Sequence, residues 1–235
     1  MQMRMAGGAA LAVMSALIAA HPAGAGANRV MLDGFAIDRT EVSVAAFRAF
    51  ARETGLATAA EREGGGHEYA GGWVRRPGWT YAAPQGRPAA DDEPAAHVTW
   101  EEARAFCAHR KGRLPEFNEW RRAAYTEMRE TPTDGFAKGQ TYPFPVGDEP
   151  YGMNNNRRAH APVGSTRRGV NGLHEMGANL WEWVADRRGE EALTAGGSWW
   201  YGPEQARASS AQWKPAAFHA LYIGFRCAYD RESNG

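Results

Sequence analysis

Hydrophobic residues along this chain change period at a few well-marked places. From Val30 to Asp38 (VMLDGFAID) they alternate with enough β-branched character for a first strand, and Asp33-Gly34 offers a turn. Ser43 is a natural N-cap for the stretch VAAFRAFARETG, in which Val44, Phe47, Phe50 and Ala51 fall on one helical face and Gly55 ends the run. A second helix is predicted after Thr99, because Glu102 stands at the capping-box position and Ala103, Phe106 and Cys107 share a face; Gly112 and Pro115 close it. A third runs from about Glu116 to Tyr125 with Phe117, Trp120 and Ala124 inward, and the last strand is LYIGFRCA, Leu221 to Ala228.

Two stretches have no sustained period. From Glu61 to Pro94 glycines and prolines alternate with single aromatics (Tyr69, Trp73, Trp79, Tyr81), which predicts an ordered loop packed over the core. From Gly172 to Trp200 lie four of the chain's nine tryptophans, Trp181, Trp183, Trp199 and Trp200, interleaved with Asn179, Glu182, Asp186 and glycines. Bulky aromatics beside polar groups predict an irregular, hydrogen-bonded centre.

Composition narrows the classes. A chain of 235 residues with 43% hydrophobic and 11% aromatic content is globular, and one domain is the simpler reading. Lys+Arg and Asp+Glu both number 27, so no basic field exists to hold nucleic acid, which sets that partner class aside. Residues 1–25 have one early Arg, an apolar run and Ala23-Gly24-Ala25, the pattern of a secretory signal peptide cleaved after Ala25. The apolar run is shorter than a bilayer span, so no membrane span is expected after cleavage and the mature domain, 26–235, is expected to be periplasmic or secreted. An oxidising compartment lets Cys107 and Cys227, the two cysteines of the chain, bridge; two separate buried thiols are the alternative.

GLHEMGANLWEW resembles the "GL-Y-D-M-x-GNVWEW" signature of the formylglycine-generating enzymes, also called sulfatase-modifying factors. FAIDRTEVSVAAFRAF resembles that family's opening, HVTWEEARAFCAHRKGRLPEFNEWRRAAY its helical segment, and LYIGFRCA its "GFR" terminus, so the likeness covers about 33 to 228. It implies an α+β domain of low regular secondary structure, related to the C-type lectin-like architecture. It also implies a disulfide between Cys107 and Cys227, and a groove lined in part by the aromatics of the 61–94 region.

The chemistry of the copper-dependent members is missing. In them two cysteines follow the "GGS" motif and bind Cu(I) as thiolates; here Tyr201 and Ala206 stand at those positions. The resemblance leaves Ser198, Glu41 and Arg226 beside the family's active site as candidate catalytic residues together with Tyr201; the first three have a structural reading open as well, Ser198 satisfying backbone groups, Glu41 capping or pairing, and Arg226 bracing the core. Trp199, Trp200, Trp213 and Gln212 are expected to line a groove suited to an aromatic small molecule or an extended peptide. Asn179 and Glu182 are expected to hold a structural calcium, with Ala178 standing at the usual glycine. No histidine spacing fixes two ligands on one face, so any redox metal is left unidentified; a site built from His219 with His174 or His160 stays open.

The reading that follows is an exported, cysteine-less relative acting as an oxidoreductase, or as an accessory factor, in maturation of a periplasmic product or enzyme. Its layout resembles family members of the pyoverdine-maturation type and others that accompany copper-containing nitrite reductases. The alternative is a non-catalytic scaffold that recognises a peptide, glycan or partner protein through the former substrate groove.

Overall fold

Asp33 and Gly34 turn the chain back on itself, so the first alternating stretch forms two strands, β1 (Arg29–Met31) and β2 (Phe35–Asp38), with Val30 opposite Ile37. The computed structural model describes residues 28–231, and the expected signal segment lies outside the described residues. Ser43 caps α1 (Val44–Thr54) by accepting from the Ala46 amide, and Gly55 ends it at a φ of 70°, a value glycine adopts without steric penalty. Val44, Phe47, Phe50 and Ala51 are its buried positions, as the 3.6-residue period requires.

The aperiodic region is more regular than a loop. It holds a capped turn of helix, α2 (Ala59–Arg62), and a hairpin of β3 (Gly65–Tyr69) and β4 (Trp73–Pro77) in which Tyr69 pairs with Trp73. Its strands escape the alternation rule because β4 packs on little, with four of its five residues exposed, so no apolar face is imprinted on the sequence. Thr99 then caps α3 (Trp100–His109) through a full capping box with Glu102, and α4 (Phe117–Tyr125) follows.

The sheet that organises the rest has the order β7-β6-β5-β8, from β5 (Trp181–Arg188), β6 (Glu191–Ala195), β7 (Gln212–Pro215) and β8 (Ile223–Phe225). Only β5 and β8 run parallel, with Trp181 opposite Ile223. Alternation along the strands gives the sheet two faces. Trp181, Trp183, Ala192 and Phe225 belong to the larger core with Phe47, Phe50 and Phe106 of α1 and α3; Val184, Leu193 and Ala195 belong to a second core with Trp120, Ala123 and Ala124 of α4. Phe106 meets Phe47 at 5.7 Å and Phe225 at 5.3 Å between ring centroids, so α1, α3 and β8 share one aromatic contact.

The expected final strand is two strands. Arg226 and Cys227 leave the sheet after β8, and β9 (Ala228–Asp230) pairs with β2 instead, Ala36 opposite Tyr229. The break lets the side chain of Arg226 turn into the protein while Cys227 reaches α3, where the disulfide Cys107–Cys227 spans a Cα–Cα distance of 5.4 Å. No helix among the described residues is long and apolar enough to cross a membrane.

The bridge closes a loop of 120 residues. Replacing both cysteines by alanine is expected to cost about 4–5 kcal/mol in the chain-entropy account, read as a lowered urea midpoint; an unchanged midpoint would show that the link adds nothing to stability.

Candidate functional site

The tryptophan-rich centre begins as an irregular turn. Ala178 sits at a φ of 76°, in the left-handed region that the family's glycine would occupy freely, and its amide donates to the Gly196 carbonyl at 2.8 Å. Asn179 follows with its amide group fully committed: Oδ1 accepts from Asn154 Nδ2 and the Ala161 amide, both at 2.8 Å, and Nδ2 donates to Glu41 Oε2 at 2.6 Å and to the Ala161 carbonyl. Glu41 accepts again at Oε1 from the Leu180 amide, 2.9 Å. Burial, then the charges of Glu182 and Glu175, push the Glu41 carboxyl well above the usual range and favour its protonated form.

Glu182, the next inward residue on the α4 side of the sheet, is closed off by protein donors. Oε2 accepts from Trp120 Nε1 and Arg226 Nε, both at 2.8 Å, and Oε1 from Arg226 Nη2 at 2.7 Å. Arg226 spends its remaining N–H groups on the carbonyls of Asp38, Arg39 and His174, so all five of its donors are used and neither partner of the pair meets solvent.

These contacts correct three expectations. Arg226 and Glu41 are braces of the fold: all five Arg226 donors are taken, and Glu41 is buried with each carboxyl oxygen already accepting from the Asn179–Leu180 segment. Asn179 and Glu182 do not fit a calcium site: the Asn179 oxygen has both lone pairs engaged, and the Glu182 carboxylate already faces a guanidinium. Among the described residues no three His, Cys, Asp or Glu side chains come together as a metal-ligand set. His219 lies against His67, ring centroids 5.0 Å apart, rather than against His174, which bonds the Thr166 carbonyl, or His160, which bonds Glu93.

The groove lies on the other face of the same sheet. Gly196 and Gly197, at φ values of 95° and 78°, turn the chain after β6 and set Ser198 and Trp199 inside. The Trp199 amide donates to the Asn179 carbonyl at 2.9 Å, which anchors the groove loop on the polar centre. Ser198 Oγ, Trp181 Nε1 and Trp199 Nε1 are buried and without a hydrogen-bond partner.

Above these groups the rings are continuous. Tyr222 touches Trp199 (5.2 Å), Trp200 (5.8 Å) and Trp73 (6.1 Å), and Trp73 touches Tyr69 (5.5 Å) and Phe218 (4.7 Å). Tyr69, Trp73 and Trp200 leave 44%, 49% and 38% of their surface in solvent, a high exposure for rings that pack on one another. Beside Trp200 an open depression of about 360 Å³ is walled by Arg157, Tyr201, Gly202, Glu204 and Gln205.

Tyr201 and Ala206, at the positions of the family's cysteine pair, have parted company. Tyr201 packs against Trp181 (5.9 Å) at the groove, and Ala206 is buried in a small cluster with Phe144, Val146, Met153 and Ala178. Trp213 is not in the groove: alternation along β7 puts it on the α4 side, under the Arg188 guanidinium, and leaves Gln212 and Lys214 on the Trp181 side.

Lys214 escaped the sequence reading. Its Nζ donates to Thr194 Oγ1 and Gln212 Oε1, both at 2.9 Å, and lies 4.3 Å from the centroid of the Trp181 ring. Burial alone brings its pKa down to about 7. The signal was its rarity, for only Lys111, Lys138 and Lys214 among the 27 Lys and Arg residues are lysines.

Two outcomes test the polar centre. Arg226→Ala strands the Glu182 carboxylate and is expected to cost about 3–5 kcal/mol, measured by urea denaturation; a cost under about 1 kcal/mol, the range of exposed pairs, would remove the brace. The second concerns acid. Burial takes the His97 imidazole down to about 3 and lowers that of His160; it also pushes Glu93 up, but hydrogen bonds from Arg87, the Ala90 amide and His160 together outweigh it and hold that carboxyl at about 2. All three folded values lie below their unfolded ones, so their stabilisation is present at neutral pH and lost on acidification, from about 6.5 downward for the histidines and about 4.5 downward for Glu93. The urea midpoint should fall over that window, and more shallowly above pH 4.5 in His97→Asn; equal slopes would clear His97 of the effect.

The comparisons with known proteins agree with this architecture. The model of the family described as sulfatase-modifying factor enzyme 1-like domain matches residues 3–231. Formylglycine-generating enzyme of Mus musculus is 27% identical over 257 aligned residues, 87% of this chain and 68% of that protein. Hercynine oxygenase of Mycobacterium tuberculosis is 29% identical over 59% of this chain, which spans 37% of that longer protein. Among solved structures, PvdO from Pseudomonas aeruginosa superposes with a TM-score of 0.58 at 20% identity, covering 83% of this chain and 80% of that one, a likeness of fold. With a continuous family match, the α+β architecture and the GGS turn beside the tryptophan-rich centre all in place, the chain belongs to the formylglycine-generating enzyme-like, sulfatase-modifying factor family.

Proposed function

We propose that this protein binds an aromatic or otherwise planar group, on a small molecule or on an extended peptide, in the groove formed by Tyr69, Trp73, Trp200 and Tyr222, and acts in maturation of an exported product. The observation that carries the reading is the set of part-exposed rings Tyr69, Trp73 and Trp200, joined through the buried Tyr222, at the place where the cysteine-bearing relatives do their chemistry. Rings held by neighbouring rings lose little conformational freedom when a ligand stacks on them, so their contact area converts efficiently into affinity. The family's oxidoreductase-type relatives, hercynine oxygenase among them, make oxidation or an accessory role in it the favoured chemistry.

The second reading, a scaffold without turnover, is favoured by one feature: Tyr201 and Ala206 pack into separate clusters, so this loop no longer presents two side chains to one point. Periplasmic or secreted placement is part of the same proposal and rests on the pattern of residues 1–25.

Titration with tyrosine- or catechol-bearing compounds, followed by tryptophan fluorescence, tests the groove. Trp200→Ala and Trp73→Ala are expected to weaken binding by about tenfold or more with an unchanged melting temperature, as for centrally placed aromatic anchors. Loss of binding in neither variant sinks the groove. Ser198→Ala then separates the readings: an oxidising member loses turnover of the bound compound, whereas a scaffold shows no turnover in either form.

A further inference from the structure

The depression beside Trp200 has one uncommitted charge. Its walls carry two ionisable side chains of opposite sign, Arg157 and Glu204, beside Trp200, Tyr201 and Gln205. Glu204 is already taken: its carboxylate accepts from Arg207 Nε at 2.6 Å and from Nη2 at 3.3 Å, and Arg207 lies over the Phe144 ring, 4.3 Å from its centroid. The Arg157 guanidinium has neither a carboxylate nor a hydrogen-bond acceptor among the described residues, and it stands in solvent. By contrast Arg113 is matched by Glu119, Arg129 by Glu127 and Arg226 by Glu182.

The backbone beneath that side chain is fixed, which separates Arg157 from an ordinary surface arginine. Its amide donates to the Trp199 carbonyl at 2.9 Å, and it does so at a φ of 60°, a conformation that a Cβ disfavours. The loop is tied on both sides of it. Asn156 Oδ1 accepts from the amides of Arg158 and Ala159 at 2.7 and 3.2 Å, and Asn154 Nδ2 donates to the Ala159 carbonyl at 3.0 Å and to Asn179 Oδ1 at 2.8 Å. Trp199 donates to the Asn179 carbonyl, so this loop and the turn that bears Trp200 hang from the same buried asparagine. Main-chain bonds thus set the cation and the ring side by side, and only the guanidinium end is left to move.

The space between them is small. A depression of about 360 Å³ is at the lower end for small-molecule sites and admits one substituted ring rather than a run of peptide. Its polar edges, the Arg157 guanidinium, the Gln205 amide and the Tyr201 hydroxyl, can all donate hydrogen bonds. We propose that the ligand of the groove is a small aromatic acid, its ring packed on Trp200 and its carboxylate received by Arg157. The guanidinium offers parallel N–H groups to both carboxylate oxygens, a match that the amide of the same acid cannot make. Arg157 is in this way a specificity-determining residue: the rings supply most of the affinity, and the cation decides between compounds that are equally aromatic.

The proposal rests on the groove reading and names the ligand class for it. It is tested on the whole purified protein by titration with 4-hydroxyphenylacetate and, in parallel, 4-hydroxyphenylacetamide, which share the ring and differ in charge, with tryptophan fluorescence as the readout. At low salt the acid is expected to bind about threefold to fivefold more tightly than the amide, the upper range for a charge pair open to solvent. The preference should shrink in about 0.5 M salt, where the screening length falls to about 4 Å. Arg157→Gln should remove the preference while the amide still binds and the melting temperature holds. Arg158→Gln, next in the chain but outside the depression, should keep it, and Trp200→Ala should weaken both compounds alike. Equal binding of acid and amide in the parent, or a preference that survives Arg157→Gln, overturns the aromatic-acid proposal and leaves the groove standing. Loss of the preference in both arginine variants overturns Arg157 as its site and assigns it to the diffuse field of the loop. If neither compound binds, the groove reading falls and the aromatic acid falls with it.

Discussion

One buried ion pair holds the domain together around its functional face. Arg226 enters the core because the chain leaves β8 after Phe225, and there its guanidinium ties the end of β2, the loop at His174 and Glu182 of β5, whose carboxylate also takes the Trp120 indole of α4. A charge pair this far from water stays in place only when every donor and acceptor is matched, and here all five guanidinium N–H groups are. Three main-chain carbonyls, of Asp38, Arg39 and His174, converge on this one cation and fix their segments against β5.

The pair also decides where function can and cannot be. Around it the polar residues are taken up by architecture: Asn179 bonds Glu41, and Glu182 bonds Arg226 and Trp120. The groove side of β5 is left to Trp181, Trp199 and Tyr222 and to the β3–β4 hairpin. Charge and hydrogen bonding serve architecture around the pair; part-exposed rings and the unpartnered Ser198 hydroxyl mark the groove side. Two neighbours in the sequence, Glu182 and Trp183, thus have unrelated duties, one in the brace and one in the core beneath the groove.

Loss of the cysteine pair fits the same division. A tyrosine at the first position extends the aromatic wall, and an alanine at the second, buried at the end of the turn Pro203–Ala206, plugs a small apolar cluster whose floor is Ala178. The loop after Ser198 thus adds rings, Trp199, Trp200 and Tyr201, that pack on Trp181 and Tyr222.

Much of this was legible in the sequence because it is local. Caps at Ser43 and Thr99, the helical faces of Phe47, Phe106 and Trp120, the turn at Gly34 and the long GLHEMGANLWEW signature each depend on residues within a few positions of one another, and the family and its α+β fold follow from them. The β3–β4 hairpin was not legible, since β4 is exposed on both sides and β3 is buried along its glycine end rather than on alternate positions, so neither strand alternates. Nor were the final roles of Glu41, Asn179, Glu182, Arg226 and Trp213, because each is decided by a partner many residues away or by which face of a strand meets which core. Lys214 is the clearest case: a lysine in a polar tetrapeptide is unremarkable until the sheet sets Thr194, Gln212 and Trp181 around its nitrogen and takes the water away. Local pattern determined what the elements are, and tertiary packing, by choosing which polar groups find partners, decided which residues remain free to act.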